Sequence, residues 1–129
     1  MNIEFITLAW SRESGYPRVI EAVIDNSEQW NNLWYLHLSS AETPLPAPQV
    51  DFTQYSVIAV FAGEKPTSGY SVEILKVEIC GTKEQWSIDI TVQYSQPEPG
   101  EFVIGEVTYP NHIIKIPKID RNKVTFRRT

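Results

Sequence analysis

The chain has 129 residues, 42% of them apolar and 21% charged, and a net charge of −5. That composition excludes global disorder and fits one folded domain, residues 1–129, able to bury a core without disulfide staples. The charge is uneven: residues 1–110 carry five basic and fifteen acidic side chains, residues 111–129 six basic and one acidic, and the acidic body argues against nucleic acid. Cys80 is the only cysteine, so no internal disulfide forms, which fits a reducing compartment or a chain that needs no bridges. The first ten residues lack a basic stretch and Glu4 interrupts their apolar run, so no signal peptide is read and a cytoplasmic location is expected, with the cell envelope as the alternative if the chain is a processed form. No apolar run approaches the roughly twenty residues of a membrane span.

In chain order, Ile3 to Trp10 reads as one strand and Arg18 to Ile24 as a second, separated by a loop containing Gly15 and Pro17. Asp25-Asn-Ser27 supplies side chains that cap a helix over Glu28 to Leu38, with Asn26 and Gln29 at capping-box spacing. Trp30, Leu33, Trp34 and His37 recur at spacings of three and four, which places them on the face that packs across a sheet. Pro44, Pro46 and Pro48 make the next stretch a stiff extended connector.

Val57 to Ala62 is apolar at every position, the pattern of a strand covered on both faces. Tyr70 to Ile79 alternates apolar and charged residues, and its change of phase near Leu75-Lys76 predicts a bulge. Trp86, Ile88, Ile90, Val92 and Tyr94 alternate with Ser87, Asp89, Thr91 and Gln93, the mark of an antiparallel strand with one wet face. Residues 56–94 therefore read as a three-stranded meander. Phe102 to Val107, His112 to Pro117 and the segment after Lys123 read as further strands, about eight in all with one helix. The fold class expected is α+β, mainly β: an antiparallel β-sandwich or partly open barrel with one amphipathic helix packed on it.

The most loop-specific chemistry lies between the strands of the central pair. Gly63, Pro66 and Gly69 shape the backbone, presenting Glu64, Lys65, Thr67 and Ser68 and ending in the amphipathic Tyr70. A loop so preset loses little entropy on binding, and Lys65 and Thr67 are expected to point outward as donors. A purely structural turn uses the same residue types. Pro97 to Gly100 and the Tyr109-Pro110 pair join the site if the fold gathers them at one end. No cofactor or metal is indicated: His37 and His112 are isolated from each other in sequence, and Cys80 reads as a buried small hydrophobe. Gly63 to Gly69 lacks the Gly-Lys-Thr order and the helical context of a phosphate loop. The chain is expected not to be an enzyme. The other reading open on the residues is a small-molecule-binding β-domain with a cavity lined by Trp30, Trp34 and Trp86.

Three groups of residues carry a resemblance: Arg18-Val-Ile with the Trp-rich helix, Val50-Asp-Phe52, and Val60-Phe-Ala-Gly-Glu-Lys-Pro-Thr-Ser-Gly-Tyr-Ser-Val-Glu-Ile74. With Pro97-Glu-Pro-Gly100, Thr108-Tyr-Pro110 and His112-Ile-Ile-Lys-Ile-Pro117 they resemble the PrcB-type protease-complex subunit family over about residues 15–126. The resemblance implies a noncatalytic protein-binding module whose partner is a protein, a protease in particular, which it associates with or stabilises. Family members are commonly exported or lipid-anchored, a departure here, and Ser68 stands where many relatives have a second loop glycine. Pro66-Thr-Ser-Gly-Tyr70 is also similar, over that loop alone, to chagasin-type cysteine-protease inhibitors, which implies a protease inhibitor as an alternative. Both resemblances point toward proteins that bind proteases, and the contact expected from the loop chemistry is Gly63, Glu64, Lys65, Pro66, Thr67, Ser68, Gly69 and Tyr70, with Tyr109 and Pro110 beside them if the fold gathers them at one end.

Overall fold

A computed structural model describes residues 1–129. Its strands are β1 (Asn2–Ile3), β2 (Ile6–Ser11), β3 (Val19–Ile24), β4 (Tyr55–Ala62), β5 (Ser71–Gly81), β6 (Trp86–Ser95), β7 (Asn111–Pro117) and β8 (Val124–Arg128), with one helix, α1 (Ser27–His37). They form two four-stranded sheets of order β1-β5-β6-β8 and β2-β7-β4-β3. The structure is a mainly β sandwich and not a closed barrel.

β4 explains the layering. Val57, Ala59 and Phe61 pack under α1 with Ile24, Trp30, Leu33 and Ile113. Ile58, Val60 and Ala62 face the other way, meeting Val72, Ile74, Val77, Ile90 and Val92 of the opposite sheet. An apolar strand without a wet face thus acquires a helix on one side and a sheet on the other. α1 begins where expected: Asn26 is the N-cap and its side chain accepts from the Gln29 N–H at 2.9 Å. Trp30, Leu33 and His37 are buried, and the Trp30 and Trp34 indoles donate to Pro48 O at 2.8 Å and Leu45 O at 3.0 Å, fastening the proline connector beside the helix.

The expected bulge is present. The β5–β6 register shifts between Ile74 and Lys76, so Leu75 turns outward while Val72, Ile74 and Val77 all stay in the core.

Five readings need correction. Residues 56–94 are not a meander: β4 pairs with β3 and β7, whereas β5 pairs with β1 and β6. β5 carries Glu73, Lys76 and Glu78 and needs a solvated face, which the layer beneath α1 does not provide. Ile3 to Trp10 is two strands in different sheets; the chain crosses at Glu4-Phe5, with Ile3 and Phe5 both packed on the core between them. Phe102 to Val107 forms no strand, because β5 and β8 already flank β6, and β2 and β4 already flank β7. β6 is antiparallel to β5 but parallel to β8. Its outer face is also less wet than expected, since Arg127 Nε donates to Asp89 at 2.7 Å and Asp89 is buried. That ion pair holds the Asp89 carboxyl below the usual carboxylate range, chiefly through the Arg127 hydrogen bond. Cys80, finally, is half-buried at the end of β5 and not fully enclosed.

A buried histidine ties the two sheets together. His112 of β7 is buried, and its Nδ1 accepts from the backbone N–H of Ile74 in β5 at 2.8 Å. The neutral ring therefore carries its proton on Nε2, which donates to Thr7 Oγ1 at 2.9 Å. Trp10 stacks on the ring with centroids 5.3 Å apart and donates its indole N–H to Val72 O at 3.0 Å. Burial lowers the pKa of His112 from 6.5 to about 4. The stability linked to this depressed pKa is full above pH 6.5 and lost as the pH falls to about 4. Its size is about 3 kcal/mol from the shift alone. Urea unfolding across this window should show that loss in the wild type, and His112→Asn, which keeps an acceptor without a titrating ring, should remove most of it.

Candidate functional site

Because β4 and β5 lie in different sheets, residues 63–70 bridge the sandwich at one end. Positive φ at Gly63 (84°) and Gly69 (93°) sets the two corners. At the first, a Cβ would stand 2.8 Å from Val19 Cγ2; at the second, 2.8 Å from Pro97 Cγ. Gly63 is buried, as is Pro110, whose carbonyl accepts from the Ala62 N–H at 2.9 Å. These two residues shape the site without being available for contact.

The loop's polar groups are turned largely toward the neighbouring segment 104–109. Lys65 exchanges both backbone bonds with Thr108, at 2.8 and 3.0 Å. Ser68 does the same with Ile104: its N–H donates to Ile104 O at 3.0 Å and its Oγ accepts from the Ile104 N–H at 2.8 Å. The Thr108 hydroxyl donates to Thr67 O at 2.9 Å, and the Thr67 hydroxyl to Ser68 O at 2.9 Å. Tyr109 donates its hydroxyl to Glu64 at 3.0 Å, which raises the phenol pKa, and Lys65 Nζ lies 5.5 Å from the centre of the Tyr70 ring. Thus Lys65 and Thr67 are half-buried, and the outward surface of the loop is Glu64 and Pro66 with the exposed part of Tyr70.

The three segments singled out from sequence gather at this end. Gly69 abuts Pro97, Glu64 holds Tyr109, and a turn from Glu98 to Glu101, closed by the Glu101 N–H on Glu98 O at 3.0 Å, stands beside them. Sequence reasoning missed the most exposed apolar residues there. Phe102 is 90% exposed, Ile104 57% and Val107 49%, all on the segment taken for a strand. What keeps this segment out of a sheet is that β6 and β7, the strands on either side of it, each have two neighbours already, which only the topology supplies.

Other candidate chemistry lies apart from this end or is already engaged. The Cys80 thiol pKa is raised, first by desolvation and then by Glu78 and Asp89, the reverse of an activated nucleophile. Both His112 nitrogens are bonded. His37 Nδ1 meets Ser14 Oγ at 2.8 Å, a pairing not visible in the sequence, and burial lowers the His37 pKa. Ser14 Oγ also accepts from the Tyr16 N–H, so the pair fastens the turn before β3 to the end of α1. No group of three His, Cys, Asp or Glu side chains is arranged to hold a metal. Trp30 and Trp34 hold the proline connector, whereas Trp86 lines a separate hollow of about 440 Å³ with Ile3, Ile79, Ile88 and Ile119. No helix is long and apolar enough to cross a membrane.

Residues 56–117, from β4 through β7 and including every segment of this end, match the family described as PrcB C-terminal. No curated protein and no solved structure matches the chain.

The two tight glycines give a direct test of the loop's rigidity. At Gly100, also at positive φ (84°), an added Cβ meets nothing within 4 Å. Gly100→Ala should cost only the backbone strain, about 1 kcal/mol. Gly69→Ala adds the clash with Pro97 and should cost measurably more; urea unfolding of both variants compares them.

Proposed function

With residues 56–117 belonging to the PrcB C-terminal family, we propose that the chain is a noncatalytic protein-binding domain that associates with a protease and supports its assembly or stability. The contact end comprises Gly63–Tyr70, Pro97–Gly100 and Tyr109-Pro110. The observation that carries this reading is the bracing of the 63–70 loop: its corners are fixed by glycines at positive φ and its backbone is bonded to 104–108 before any partner arrives. A surface that is already ordered loses little conformational entropy on association. Within it, Gly63, Thr67, Ser68, Gly69 and Pro110 set the shape, while Glu64, Lys65, Pro66, Tyr70 and Tyr109 offer the contacts.

The reading as a binding domain and not an enzyme is favoured by the state of the reactive groups. The thiol is held protonated and both histidines serve as internal hydrogen-bond partners.

Affinity capture from the producing cells tests the proposal. The intact chain should retain a protease, identified by mass spectrometry and by proteolytic activity in the eluate. A variant carrying Glu64→Ala, Pro66→Ala and Tyr109→Phe should retain at least about tenfold less, the effect of losing about 1.4 kcal/mol of contact. Absence of a protease from the intact bait's eluate contradicts the reading.

A further inference from the structure

Phe102 lies at the tip of the segment joining β6 to β7, between two fixed points. Behind it the Glu98–Glu101 turn is closed by a backbone bond, with Gly100 at positive φ; ahead of it Ile104 is fastened to Ser68 by both its N–H and its carbonyl. The tip is therefore held away from the body, with Phe102 almost wholly in water and Ile104 and Val107 about half exposed. Three large apolar side chains left exposed on one short braced segment are a concentration of the kind that marks an interaction surface.

The charges around the patch decide what covers it. Glu98, Glu101 and Glu106 flank Phe102 in sequence, none of them forms an ion pair, and no Lys or Arg occurs from Glu84 to Ile114. Three free carboxylates oppose insertion into an anionic lipid surface. They likewise oppose tip-to-tip pairing of two copies. What complements an apolar anchor within an acidic rim is an apolar pocket within a basic rim.

We propose that Phe102 is the anchor of the contact, inserting into an apolar pocket on a protein partner whose rim carries Lys or Arg opposite Glu98, Glu101 and Glu106. This rests on the reading of the chain as a protein-binding domain and moves the centre of the contact from the 63–70 loop to the segment that loop braces. Buried aromatic anchors dominate interface energetics, and rim charges govern encounter and salt dependence.

The experiment places a benzophenone amino acid singly at positions 102, 66 and 35 of the full chain. Each form is irradiated in the producing cells, and the protein joined to each is identified. That protein is then purified and its affinity for the chain measured at low and high salt. The proposal expects a discrete adduct from position 102 and none from position 35, on the outer face of α1. It expects Phe102→Ala to weaken binding about 30-fold, the equivalent of a 2 kcal/mol hot spot. The triple Glu98→Gln, Glu101→Gln, Glu106→Gln variant should flatten the salt dependence. Phe102 is in solvent, so circular dichroism of the alanine variant should match the wild type. An adduct from position 66 without one from 102, or an unchanged affinity in Phe102→Ala, overturns the anchor and leaves the binding domain standing. No protein adduct from either position overturns both, and flotation of the chain on phosphatidylglycerol vesicles then assigns the apolar tip to a lipid surface.

Discussion

The constraint on which the rest of the structure depends is the burial of β4 on both faces. A strand running Val-Ile-Ala-Val-Phe-Ala from residue 57 to 62 has no side suited to water, so it lies centrally in a sheet that is itself covered twice. One covering is α1, whose aromatic face is wide enough to span the sheet; the other is the second sheet. Each β4 side chain removed from water contributes on the order of 1.5–3 kcal/mol for the larger residues, which makes the middle layer the part least able to rearrange. From this follows the crossing of the chain after Ala62: β5 has charged residues on alternate positions and joins the sheet that keeps a solvated face. The crossing itself is the loop from Gly63 to Tyr70.

A segment that bridges two sheets has different needs from a hairpin turn. A hairpin is fixed by the ladder on either side of it, whereas this crossing has no ladder of its own and is bonded to the chain that returns across the same end. The Lys65–Thr108 and Ser68–Ile104 pairs supply that support, and they order both segments together. The consequence for function is a division of labour. Most of the conspicuous polar residues in the 63–70 loop are committed internally, and the side chains left without partners are on the segment they support. His112 does similar service deeper in the sandwich, where the β5 bulge and the first residues of β2 meet on one imidazole.

Much of this was legible in the sequence because it is local. The alternation from Trp86 to Tyr94, the phase change at Leu75 and the cap at Asn26 each report a preference that the surroundings reinforce. What was not legible is long-range: which strand lies beside which. Ile3 to Trp10 has one continuous apolar character, yet its two ends serve different sheets, and nothing near Phe102 reveals that both flanking strands already have two neighbours. The same limit applies to the candidate site. The types of residue in the 63–70 loop were readable, and so was the gathering of three segments as a possibility to check. The direction of the Thr67 carbonyl and the Ser68 hydroxyl depends on residues 104–108, which lie almost forty positions away, and the exposure of Phe102 depends on the whole topology.

The central claim is that residues 63–70 and 104–108 form one braced unit carrying an uncovered tip. Amide hydrogen exchange resolved by residue tests it most directly. The amides of Lys65, Ser68, Ile104 and Thr108 should be protected to a common degree, since their bonds open together, while the Phe102 amide should exchange near the rate of an unstructured peptide. Fast exchange at Ser68 and Ile104, equal to that at Phe102, would contradict the account and leave the end of the sandwich a set of independent loops.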